Sequence, residues 1–182
     1  MIKKVLLILS IVILALNIYA CGKISVESLK MEYNMQNYIN VKGENFKAKQ
    51  RNYEHDEDEF ELYKHQGKVI MLYPIQGGES YKPLQTLYDE YGKNEKDVLV
   101  YGYLMPGSKI EYVSWMAERN CHFPLLDAGN ALNKLYLVGT AGCPSILVFD
   151  KNSFVRVAYE YIGGDYKRYK NAIEYVRKNF DE

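Results

Sequence analysis

Runs of apolar residues divide the chain into segments whose spacing predicts their structure. Val69-Ile70-Met71-Leu72-Tyr73 is a near-continuous apolar run with Pro74 closing it, the pattern of a central strand covered on both faces. Val98 to Leu104 is a second run of the same kind, and Ser145 to Phe149 a third. Phe154 to Tyr161 follows a hairpin turn at 150–153 and predicts a fourth strand. Upstream, Phe60, Leu62 and Tyr63 predict a short strand before the turn at Gln66-Gly67. Helical spacing appears in Tyr81, Leu84, Leu87, Tyr88 and Tyr91, which predicts a helix over 80–91 stopped by Gly92. Pro83 falls in its first turn, where a missing N–H is tolerated. Ser108 and Glu111 form an S-x-x-E capping box ahead of a helix to Arg119, with Ile110, Val113, Met116 and Ala117 inward. Asp127 is placed to cap a short helix through Leu135. Tyr166, Tyr169, Ile173, Val176 and Phe180 step by three and four, one apolar stripe on a helix over 165–180.

The resulting order is β, β, α, β, α, short β, short α, β, β, α. Alternating strands and helices predict an α/β layered domain, and the closing ββα unit makes the sheet mixed. Residues 22–58 are polar and weakly patterned. The acidic run 55–59 reads as solvated, and the stretch reads as a tether with an N-terminal extension.

The first residues carry a different pattern. Lys3 and Lys4 precede an apolar stretch from Val5 to Leu16, broken only by Ser10, and small Ala20 precedes Cys21. These are the parts of a secretory signal. The stretch is short for a span, which needs about 20 apolar residues. Ile18-Tyr19-Ala20-Cys21 resembles the lipobox of bacterial lipoproteins. That resemblance implies cleavage before Cys21, lipid on its sulfur, and a location in the bacterial cell envelope, outside the cytoplasm. An uncleaved N-terminal anchor is the other reading, and it too ties the chain to a membrane. Cleavage would remove both lysines and no acid, turning the balance of 23 basic and 23 acidic residues into 21 against 23. A nucleic-acid partner would call for a basic patch, and none is predicted. The expected division is a signal peptide at 1–20, a tether and extension at 21–57, and a folded domain at 58–182.

Several phrases in that domain resemble the thioredoxin-like superfamily, on its redoxin side of membrane-tethered thiol–disulfide oxidoreductases and peroxiredoxins. Phe60-Glu61-Leu62 with Gly67-Lys68-Val69-Ile70-Met71-Leu72 is similar to the family's opening. Pro83 to Tyr88 resembles its first helix after the active site. Phe123-Pro124-Leu125-Leu126-Asp127 and Gly139 to Asp150 are similar to two later segments, the second containing the family's cis-proline. The resemblance implies a thioredoxin-like fold, a central mixed sheet flanked by helices on both faces. It also implies that Pro144 follows a cis bond and faces the first helix's N-terminus.

Where that family carries its nucleophilic thiol, this chain has Gln76-Gly77-Gly78-Glu79-Ser80. No Cys-x-x-Cys exists, and the only cysteines are Cys21, Cys121 and Cys143. Two functions stay open. One is a non-catalytic binding or accessory module that holds a peptide or partner protein in the groove at Gly78, Ser80, Gly142 and Pro144. The other is a divergent thiol–disulfide oxidoreductase or peroxidase using Cys143, with Cys121 as its resolving partner. Cys143 beside the helix N-terminus would be partly ionised; alternatively it packs as a small hydrophobe. Cys121 and Cys143 are either bridged or free, because geometry decides. Cys121 and His122 are neighbours, which in a strand point different ways. No spacing matches a zinc or iron site, and no cofactor is implied. Trp115 is expected to pack, and Gly77-Gly78 to be a plain loop.

Overall fold

The computed structural model describes residues 39–51, 56–76, 78–94, 96–108, 111–139, 145–161 and 165–180. Cys21, Gly142, Cys143, Pro144 and the bond expected to be cis lie outside the described residues, as does the leader.

The apolar run at 69–73 becomes β4 (Val69–Ile75), buried along its whole length. Its side chains divide between two layers, so it takes a central place. β5 (Val98–Leu104) runs parallel to it on one side and β7 (Ile146–Phe149) antiparallel on the other. β8 (Phe154–Tyr159) pairs with β7, and β1 (Val41–Lys42) with β8, both antiparallel. Beyond β5 come β6 (Leu125–Leu126), parallel, then β2 (Lys47–Arg51) and β3 (Asp56–Glu61), both antiparallel. Among the described residues this is one eight-stranded mixed sheet in the order β1-β8-β7-β4-β5-β6-β2-β3.

Helices cover both faces. Leu132 and Tyr136 of α3 (Gly129–Tyr136) join Ile70, Leu72, Leu99, Tyr101 and Phe149 in one layer. On the opposite face Tyr73 meets Tyr169 of α4 (Tyr166–Asn179) edge-on, ring centroids 5.1 Å apart. α1 (Tyr81–Leu87) touches β5 and α4. Its Leu84 comes so close that a Cβ on Gly102 would lie 2.9 Å from it, and 2.7 Å from Leu125. A side chain there would push the two leucine ends aside. α2 (Tyr112–Arg119) contributes the buried Trp115 and Met116.

The structure changes several expectations. β4 does not stop at Pro74 but continues through it to Ile75. The helix expected over 80–91 changes to a π-helical turn at Tyr88–Gly92, where a Cβ on Gly92 would sit 2.7 Å from the Tyr88 ring. The Ser108 box does not form. Glu111, extended at φ −81° and ψ 113°, is the residue before α2, and the Ser108 N–H closes a turn on Met105 O at 3.1 Å. Asp127 does not cap α3: Ala128 occupies that place, and the Asp127 N–H donates to Lys49 O at 2.9 Å. Leu62 and Tyr63 lie in a 3-10 turn at Leu62–His65 rather than in a strand. β8 ends at Tyr159 rather than Tyr161. Finally, the sheet takes in residues 41–42 and 47–51, N-terminal of the boundary at 58, and much of the acidic run is the edge strand β3.

Candidate functional site

The loop between β4 and α1 is where the first helix points its N-terminus at the end of the central strands. Gln76 follows the last residue of β4, and its N–H donates to Ser80 Oγ at 3.3 Å. The loop therefore closes on itself. Ser80 has helical backbone angles, φ −57° and ψ −21°, and does not cap α1; its oxygen already serves Gln76. Gly78 is exposed at φ +55°, a left-handed conformation that favours glycine. Glu79 and Lys82 form an exposed ion pair at 2.5 Å. Their side chains are polar, and none is a thiol.

The first two helices meet through an aromatic pair. The Tyr81 ring, first in α1, meets Trp115 of α2 edge-on at 5.6 Å. The Arg119 guanidinium lies 5.0 Å over the same indole. Trp115 is buried, as expected of a packing residue.

Ser145 lies directly ahead of β7. Its N–H donates to Tyr159 O at 3.0 Å. Its carbonyl accepts a 2.5 Å hydrogen bond from the hydroxyl of Tyr103, a buried residue of β5. Burial pushes the Tyr103 phenol well above its ordinary range. Sequence reasoning missed Tyr103. The signal available was Pro74, because a proline inside a central strand leaves some neighbouring carbonyl short of a donor.

Cys121 lies elsewhere. It follows the left-handed Asn120 that ends α2, is fully buried, and is a free thiol. Its N–H donates to Met116 O at 3.0 Å, and its sulfur approaches Arg119 O at 3.9 Å. Burial pushes its pKa up to about 11, with Arg119 pulling weakly the other way. His122 is exposed, and its N–H donates to Gln85 Oε1 at 2.9 Å; the two neighbours differ in exposure as expected. Among the described residues no three of His, Cys, Asp or Glu gather where they could hold a metal ion.

Neither a protein-family model nor a curated protein matches the chain. Solved structures do. The mitochondrial 2-Cys peroxiredoxin of Plasmodium falciparum superposes with a TM-score of 0.60 at 20% identity, covering 79% of this chain and 98% of that one. The AhpC of Enterococcus faecalis gives 0.61 at 14% identity, over 80% of this chain and 97% of that one. The exposed lipoprotein thioredoxin Etrx1 of Streptococcus pneumoniae gives 0.54 at 16% identity, over 72% and 99%. The fold is thioredoxin-like. In this thioredoxin-like chain Gln76 and Ser80 lie between the central strand and the first helix, and Ser145 directly precedes the strand beside it.

Proposed function

We propose that this chain is an envelope-anchored thioredoxin-fold lipoprotein without redox catalysis, a binding or accessory module. The groove between the start of α1 and the stretch entering β7 would hold a peptide or partner protein. The single observation that carries this reading is the loop at Gln76 to Ser80, which has no sulfur where dithiol chemistry would need one. Exchange requires a thiolate that attacks a disulfide and a second thiol that releases the mixed product. Cys121, the candidate for that second role beside Cys143, is buried with a raised pKa, which supports the non-catalytic reading. Fold likeness to redox proteins does not supply an activity by itself.

The test is disulfide reduction on insulin with a coupled reductant, comparing the wild type with Cys143→Ser. The expected outcome is no turnover in either. Turnover in the wild type that vanishes in the variant would overturn the reading and make Cys143 a relocated nucleophile. The anchor rests on the residues up to Cys21, and mass spectrometry of the envelope fraction checks it. Cys21 is expected as the lipid-modified first residue; a chain starting elsewhere, or an unmodified Cys21, would remove the anchor from the proposal.

A further inference from the structure

A cavity of about 130 Å³ lies where the central strands begin, lined by Val69, Asp97, Lys151 and Arg177. Val69 opens β4, Asp97 directly precedes β5, Lys151 sits in the turn between β7 and β8, and Arg177 belongs to the last turn of α4. The length of β4, roughly 20 Å for seven residues, separates the cavity from Gln76. Its backbone is fixed by the strand ends. The Val69 N–H donates to Asp97 O at 2.9 Å, and the Gly67 N–H donates to Lys151 O at 2.8 Å.

The side chains carry the chemistry. Arg177 Nη1 is held by Glu174 at 2.9 Å. The same carboxylate accepts from Tyr91 at 2.9 Å and lies 3.6 Å from Lys178. Arg177 Nη2 is 3.7 Å from Asp97 Oδ2, beyond hydrogen-bonding length. A guanidinium with one arm held and the other this far from its acid suits a carboxylate arriving from solvent. Lys151 brings a second positive charge to the cavity. Asp97, 64% exposed at the rim, brings one negative charge. The lining therefore offers two cations and one anion, and its complement is two anions and one cation.

We propose that this cavity binds a small acidic amino acid, one carboxylate on Arg177, the other on Lys151 and the ammonium on Asp97. A simple oxyanion would match the two cations but meet the Asp97 carboxylate. A neutral molecule would leave all three charges unanswered. Val69 offers apolar surface to a short carbon chain. A cavity of about 150 Å³ admits benzene, so a four-carbon skeleton fits with its charged groups toward the rim.

The experiment is isothermal titration calorimetry of the full-length chain with L-aspartate, succinate and inorganic phosphate at low salt. Aspartate is expected to bind with a Kd on the order of 1 mM or tighter. Succinate has the same skeleton and both carboxylates but no ammonium, and should bind about tenfold more weakly, as should phosphate. Lys151→Gln should weaken aspartate about tenfold. Asp97→Asn keeps the shape of the side chain and should abolish the preference for aspartate over succinate. No binding of aspartate at about 10 mM would overturn the proposal. So would succinate or phosphate binding as tightly as aspartate, since either marks an ordinary anion site. A preference for aspartate that survives Asp97→Asn, or aspartate affinity unchanged in Lys151→Gln, would place the ligand elsewhere and overturn it too. None of these results bears on the insulin assay, so this site and the binding-module reading fail separately.

Discussion

Asp150 is a carboxylate with almost no exposure, at the turn between β7 and β8. A buried charge is costly unless it is paired and its lone pairs are filled. Here one oxygen accepts the N–H groups of Asn152 and Phe154, each at 2.9 Å. The other accepts Arg156 Nε at 2.6 Å. Arg156 in turn donates to Asn40 Oδ1 at 2.8 Å and lies 4.2 Å from the Phe180 ring centroid. One side chain thus joins the turn, the residue ahead of β1 and the end of α4. The turn at 150–153 is legible in the sequence but this network is not, because nothing in the local pattern says that Asn40 lies beside Arg156. Asp150→Ala would leave two N–H groups and the guanidinium without their acceptor. The expected loss is about 3 kcal/mol of unfolding free energy, read by urea denaturation. A loss under about 0.5 kcal/mol, the size expected of an ordinary surface substitution, would show that water replaces the carboxylate at no cost.

Elements were legible where burial and periodicity agree. β5 has the bounds that its apolar run predicted, because a strand buried on both faces needs no partner information to be read. α4 was equally clear. Its stripe places Tyr169, Ile173 and Val176 inside, and the Asp165 carboxylate accepts the Arg168 N–H at 3.3 Å as its cap. Capping letters alone misled at Ser108 and Asp127, where the backbone groups nearby are engaged by Met105 and Lys49 instead. Nor does spacing reveal the polar contacts along the flank of α4. There Glu90 of the π turn accepts from Lys170 and Tyr166, and Tyr91 donates to Glu174 at 2.9 Å. The Lys170 hydrogen bond, then the Tyr166 one, holds the Glu90 carboxyl below its ordinary value of 4.5. A lowered carboxylate pKa stabilises the fold above the unfolded value, and that contribution disappears as pH falls through the folded one. Glu90→Gln should therefore lower Tm by a constant amount above about pH 5, and the gap should close as the medium is acidified below about pH 4. The gap should also narrow in added salt, since the pair is partly exposed. Thermal melts across that range check it; a gap that persists unchanged in acid would assign the effect to packing rather than charge.

At the scale of the whole molecule, the N-terminal strands decide where the fold begins. Lys47 to Arg51 reads as polar, and its inward contribution is a single alanine, so periodicity gives no strand. Its partner β3 is nearly all acidic. The two recognise each other through register, Lys47 opposite Glu61 and Lys49 opposite Glu59, with Lys47 Nζ 2.9 Å from Glu59. Such complementarity is visible only once the pairing is known. Exposed ion pairs are worth little by themselves, and what fixes the hairpin is the apolar layer beneath it. Phe46 packs on Phe60 at 5.4 Å, and Phe60 meets Tyr101 of β5 edge-on at 5.0 Å. Gly43 donates to Ser153 O at 2.7 Å, and its missing side chain leaves room for the Phe149 ring, which a Cβ would approach to 2.7 Å. Phe46 and Ala48 are therefore part of the core, and β1 and β2 part of the sheet. Removing a buried phenylalanine alone costs about 3–5 kcal/mol, against a total stability of about 5–15 kcal/mol for an ordinary domain. A chain beginning at residue 58 would lose Phe46 and Ala48, strip the cover from Phe60 and leave β6 without its outer neighbour. It is expected to lack a cooperative urea transition, whereas a chain beginning at residue 39 should show one like that of the longer protein. Equal midpoints and equal slopes for the two chains would mean that β1 and β2 lie on the fold without holding it.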